Sequence, residues 1–159
     1  VNFHDAIRVV LKSEGGSTLT DDKFDPGGAT RWGISSRAHP SVDVKGLTRD
    51  DAVRLYKTHY WNAVSCSALP DCLSLPVFDC AVNQGVQTAG LLLQRALNRA
   101  GATIAEDGDV GPQTLAATLQ TNPGDARVWF LSLRAHRYGQ SGNFRRYGLG
   151  WMRRLFTLP

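Results

Sequence analysis

The chain has 159 residues, enough for one domain with a core or two small lobes, and its 42% apolar and 20% charged residues are a globular balance that excludes a disordered chain. No run of eighteen apolar residues occurs, which excludes a membrane-spanning helix, and the three cysteines lack the paired Cys/His spacing of a zinc site. The formal net charge of +4 is unevenly held: from Gly111 onward seven arginines (Arg127, Arg134, Arg137, Arg145, Arg146, Arg153 and Arg154) stand against one acid, Asp125, which suits either an anionic partner or a solvated helix face.

Asn2 is a helix N-cap, and Phe3, Ile7, Val10 and Leu11 follow at helical spacing. This first helix is predicted to run to Lys12 or Ser13 and to stop at Gly15-Gly16. Residues 17–33 carry few apolar side chains and read as an ordered loop or a small β-hairpin. "GISSRAHP" reads as a short helix ended by Pro40. "TRDD", Thr48 to Asp51, starts a helix whose buried stripe is Ala52, Leu55 and Tyr56 and which Tyr60-Trp61 closes. Pro76 is predicted to open a helix, "PVFDCAVNQG", stopped at Gly85. "TAGLLLQRALNRAG" is the clearest amphipathic helix, with a stop at Gly101. "EDGDVGPQT" is a turn that launches a helix with Pro112 at its first position. Helices from Asp125 to about Tyr138 and over "GLGWMRRLF" complete a mainly α chain of about seven helices, with a soft lobe boundary near Gly85.

The chemistry concentrates in "EGG" at Glu14–Gly16 and "DPGGATRWGI" at Asp25–Ile34. Glu14 falls at the C-terminal end of a helix, where the dipole disfavours negative charge, and burial beside the apolar face of that helix would disfavour it further. A carboxylic acid kept protonated near neutral pH is what a general acid needs. Asp25 sits in a Pro-Gly-Gly turn that returns a second carboxylate towards the first, and Thr30 brings a hydroxyl. Two carboxylates in different surroundings are the working parts of glycoside hydrolysis. Read individually, Glu14 is also compatible with an exposed final-turn residue, Asp25 with a turn cap and Thr30 with a solvent-facing strand residue. The combination is what favours a site.

Those stretches, together with "YW" at 60–61, "FDCAVNQG" at 78–85, "LLQRALN" at 92–98, "DGDVGPQT" at 107–114 and "GWMRR" at 150–154, resemble glycoside hydrolase family 108 over nearly the whole chain. The resemblance implies a lysozyme-like helical fold and an N-acetylmuramidase that cleaves the β-1,4 bond between N-acetylmuramic acid and N-acetylglucosamine. It implies a catalytic lobe over residues 1–85 and a helical peptidoglycan-binding lobe over 86–159. It places the essential acid on Glu14 and, by analogy with phage-type lysozymes, supporting roles on Asp25 and Thr30. The sequence departs from the family pattern in having Ser17 where an aromatic usually follows EGG, and in a longer Glu-to-Asp spacing. Asp21, Asp22 and Asp25 are therefore all open as the second carboxylate, with Asp25 preferred because Gly-Gly lies next to its turn.

Asn83 and Gln84 end an apolar helix and are candidates to hydrogen-bond N-acetyl groups. Tyr60 and Trp61 are candidates to stack on a sugar, or else core aromatics. The "EDGD" run lacks the spaced ligands of a calcium loop and reads as a turn, so no metal or cofactor is expected. Peptidoglycan is the expected partner, with electrostatic contact to an anionic wall or outer membrane, no nucleic acid, and a monomeric state. A catalytically reduced wall-binding or secretion-assisting module is the alternative. The start, "VNFHDAIRVV", lacks the basic-then-apolar order of a signal peptide, so the expected route is cytoplasmic synthesis and release to the periplasm or wall through a holin or secretion apparatus, unless a leader is removed before Val1. Cys66, Cys72 and Cys80 are expected as reduced thiols, a Cys66–Cys72 bridge being the alternative in an oxidising compartment.

Overall fold

A computed structural model describes residues 1–14, 18–20 and 28–159 of the chain. The chain divides into two compact units, one of Asn2–His59 and one of Val1 with Tyr60–Pro159.

The first unit opens with α1, Phe3–Ser13, whose N-cap Asn2 accepts the Asp5 backbone N–H at 3.0 Å. Ala6, Ile7, Val10 and Leu11 form its buried stripe, the helical spacing seen in the sequence. Strands β1, Thr30–Arg31, and β2, Ile34–Ser35, pair antiparallel, with Thr30 opposite Ser35 and Arg31 opposite Ile34. The Trp32-Gly33 link between them has φ of 54° and 74°. Two consecutive positive φ values make the tight turn whose twist matches that of the flanking strands. Thr20 adds a single bridge to Thr30, with reciprocal backbone bonds of 2.9 and 2.8 Å. The predicted helix over "GISSRAHP" is thus corrected: Ile34 and Ser35 are strand, because the turn fixes a register that buries the Ile34 side chain. Helix α2, Arg49–Tyr56, begins with a full capping box, in which Thr48 accepts the Asp51 N–H and the Asp51 carboxylate accepts the Thr48 N–H.

A π-helical turn over Lys57–Trp61 carries the chain into the second unit, whose regular elements are all helices. Its elements are α3, Asp71–Gln84; α4, Val86–Arg99; α5, Pro112–Gln120; α6, Pro123–Gly139; and α7, Phe144–Phe156. Helices α3, α4 and α6 pack on one another, and α7 packs on α6. Helix α3 is buried on all sides from Leu73 to Ala81, the mark of a central helix. It begins at Asp71, not at Pro76 as the proline suggested. Pro76 lies inside it, and its carbonyl accepts the Arg134 guanidinium at 3.3 Å. Helix α7 likewise starts at Phe144, ahead of the expected "GLGWMRRLF".

The "EDGD" run is a turn held by one buried side chain. Gln94 donates to the Asp107 carboxylate at 2.7 Å and to the Asp109 carbonyl at 2.9 Å, and accepts the Gly108 N–H at 2.7 Å. Seven α-helices and one two-stranded sheet among the described residues make the fold mainly α.

Candidate active site

Glu14 is the residue that ends α1: its backbone N–H donates to the Val10 carbonyl at 3.1 Å, and its side chain emerges half-buried with Oε1 shielded from solvent. The hairpin turn presses against it. A Cβ added to Gly33 would stand 2.7 Å from the Glu14 Cβ and collide with the Tyr56 hydroxyl, so only glycine permits this approach. Tyr56, fully buried at the end of α2, donates its hydroxyl to the Trp32 carbonyl at 3.0 Å. The end of α1, the turn of the hairpin and the end of α2 therefore meet around Gly33.

Thr30 lies on β1 of the same hairpin, half-buried, with its hydroxyl donating to the Gly28 carbonyl at 3.3 Å. Asp25, with Asp21 and Asp22, lies outside the described residues, as do Gly15, Gly16 and Ser17.

The other sequence candidates belong to the second unit. Tyr60 is half-buried. Trp61 is only 1% exposed, donates its indole N–H to the Ser67 hydroxyl at 2.7 Å and meets Phe78 edge-on at 5.3 Å. It is a core side chain, and the expectation that it stacks on a sugar is corrected on that ground. Asn83 is exposed and Gln84 half-buried at the end of α3.

Behind Asn83 runs a chain of buried polar groups that sequence reasoning did not assign. Asp79 and Arg134 are both fully buried and bond at 2.9 Å, while Arg154 reaches the same carboxylate through Nη2 at 2.8 Å and Nε at 3.0 Å. Arg134 also donates to the Tyr138 hydroxyl at 3.2 Å, and Tyr138 donates to Asn83 Oδ1 at 2.5 Å. With its oxygen occupied, Asn83 presents its NH2 as the free donor. A signal existed in the sequence: an aspartate flanked by Val77, Phe78, Cys80 and Ala81 is a charge set in an apolar run, and a buried charge needs a partner. Gly33 and Tyr56 carried no comparable signal, because their role depends on contacts between separate elements.

All three cysteines are free, Cys66 and Cys80 buried. Burial raises the Cys66 thiol far above its usual range and pushes Cys80 up to about 11, so both remain protonated and unreactive near neutral pH.

No match was found among the curated proteins. Among solved structures the chain resembles the structure of Brucella abortus SagA, with 30% sequence identity and a TM-score of 0.81, over 96% of this chain and 88% of that one. The family model Glycosyl hydrolase 108 matches residues 7–85, a span that holds Glu14, Asp25, Thr30, Tyr60, Asn83 and Gln84. With this match and a relative at 30% identity along almost its full length, the chain belongs to the Glycosyl hydrolase 108 family.

Proposed function

We propose that the protein is a peptidoglycan hydrolase of the N-acetylmuramidase (lysozyme) type, cutting the β-1,4 bond from N-acetylmuramic acid to N-acetylglucosamine. The observation that carries this reading is the setting of Glu14: a half-buried carboxyl group at a helix end, clamped by the Gly33 turn, inside the family-matched segment of a glycoside hydrolase. Glu14 donates its proton to the glycosidic oxygen as the C1–O bond breaks, and the departing sugar leaves with a new hydroxyl. Positive charge develops at C1, which we assign Asp25 to stabilise, and the hydroxyl group of a water completes C1 while its proton returns to a carboxylate. Thr30 helps to position that water.

Tyr60, Asn83 and Gln84 are assigned to the sugar chain, and residues 86–159 to wall binding, with residues 1–85 as the catalytic part. The anionic wall is the partner that the exposed arginines attract, and the protein acts where that wall is, in the periplasm or cell wall.

Glu14→Gln keeps the shape of the side chain but removes the acid proton. General acid catalysis contributes roughly a hundred- to ten-thousand-fold, so clearing of a wall suspension should slow by at least about a hundredfold with the melting temperature unchanged. Retention of more than about a tenth of the activity would remove Glu14 from the mechanism. In the same assay Asp25→Ala should lose far more activity than Asp21→Ala or Asp22→Ala, because the sequence "PGG" after Asp25 is expected to form a turn that fixes only the first. Equal losses at the three positions would refute Asp25 as the second carboxylate.

A further inference from the structure

The helical unit carries an open groove of about 460 Å³ lined by Asn83, Gln84, Arg137, Tyr138, Ser141 and Trp151, among others. Its volume is in the range of small-ligand sites. Its wall is rich in donors: the Asn83 NH2 set by Tyr138, the Gln84 amide, the Ser141 hydroxyl and the Arg137 guanidinium. Trp151 is stacked on Tyr138 at 5.1 Å and 23°, which fixes the aromatic side of the groove. No aspartate or glutamate among the described residues lines it.

The charge around it is one-sided. Arg137 is exposed and makes no ion pair among the described residues. Directly behind the groove, the Arg134–Arg154–Asp79 cluster holds two guanidinium groups against one carboxylate, a surplus positive charge held largely out of water. Such a charge is screened less than a surface charge, so the groove is biased towards an anion. A planar guanidinium matches a carboxylate with two parallel N–H···O bonds.

We propose that this groove is a carboxylate-recognition subsite, in which Arg137 binds a free carboxylate of the stem peptide carried by a muramyl residue. The inference rests on the peptidoglycan reading above and adds to it a requirement: the enzyme reads the peptide as well as the sugar chain. Arg137 is here a specificity-determining residue.

The test uses the full chain and a soluble N-acetylglucosaminyl-N-acetylmuramyl tripeptide, whose internal bond is the opposite one to that cleaved and so survives the titration. Its counterpart has every peptide carboxyl converted to carboxamide. Calorimetric titration should show the acid form binding about tenfold more tightly than the amide form, in line with a charge-assisted pair. Arg137→Gln should erase that preference while leaving amide-form binding and the melting temperature unchanged, and Arg137→Lys should restore part of it. Equal binding of the two forms by the unaltered protein, binding of neither, or a preference that survives in Arg137→Gln would each overturn the subsite. Binding of a glycerol phosphate polymer that depends on Arg137, with no acid-form preference, would also overturn it and make the groove a phosphate site. Failure of the subsite is separable from failure of the parent reading. In the first case wall digests still release N-acetylmuramic acid reducing ends, and in the second they do not.

Discussion

Glu14 gains its character from neighbours that are distant in sequence. The residue ends a helix, and the space its side chain enters is defined by a glycine turn and a tyrosine hydroxyl. Gly33 sits at φ 74° with no room for a methyl group, so Gly33→Ala imposes both backbone strain and a collision with Glu14. Alanine at positive φ costs at least about 1 kcal/mol. A displacement of the acid by about 1 Å is worth up to a hundredfold in rate. Gly33→Ala should therefore lower the melting temperature by a few degrees and wall-clearing activity by roughly ten- to a hundredfold. Full activity in that variant would show that the turn does not position Glu14. At this scale the sequence offered Glu14 and Thr30 as candidates through the glycines and carboxylates around them. It did not mark Gly33 or Tyr56, since nothing in a local pattern reveals which residues of separate elements will meet beside Glu14. Trp61 stayed open between two readings for a related reason: an aromatic at a helix end looks the same on paper whether its ring meets Phe78 or a sugar.

The elements are held by two kinds of contact, one legible in periodicity and one not. Apolar stripes and caps located α1, α4 and α5 to within a residue or two, and the start of α2, because Asn2, Thr48 and Pro112 are start signals and Gly101 a stop; the end expected at Tyr60-Trp61 falls instead at Tyr56, where a π-helical turn begins. The start of α3 was missed because a proline is usually a boundary. Here a helical turn precedes it, with the Ser74 hydroxyl donating to the Leu69 and Pro70 carbonyls at 3.1 Å. The clamp on α3, α6 and α7 is the Asp79 cluster, whose arginines lie 55 and 75 residues further along the chain. Removing the carboxylate leaves two guanidinium groups, one of them fully buried, without their counter-charge. Breaking a buried pair in this way costs about 3–5 kcal/mol, so Asp79→Ala should be among the most destabilising substitutions in the protein, read by chemical denaturation. Arg154→Gln should cost less, because Asp79 keeps Arg134. Similar stability for Asp79→Ala and the unaltered protein would mean that the cluster does not hold these helices.

For the molecule as a whole, the arginine excess of the C-terminal region divides into two populations that sequence counting could not separate. Arg134 and Arg154 are committed to Asp79, and Arg127 donates to the Leu158 and Pro159 carbonyls, both at 3.1 Å. Arg145, Arg146 and Arg153 are exposed along α7, on a surface that also shows Leu149 at 88% and Phe156 at 83% exposure. If these three arginines speed encounter with an anionic wall, their attraction reaches about 8 Å at physiological ionic strength and shrinks as salt rises. Activity on intact walls should fall with added sodium chloride, and the triple change of Arg145, Arg146 and Arg153 to Gln should flatten that dependence without altering the melting temperature. Unchanged salt dependence in a stable triple variant would dispose of the attraction. The central claim is the identity of the bond that is cut, and mass spectrometry of purified walls digested by the protein tests it most directly. The account predicts new reducing ends on N-acetylmuramic acid, absent from digests by Glu14→Gln. Reducing ends on N-acetylglucosamine, or intact glycan strands with cleaved peptides, would contradict it.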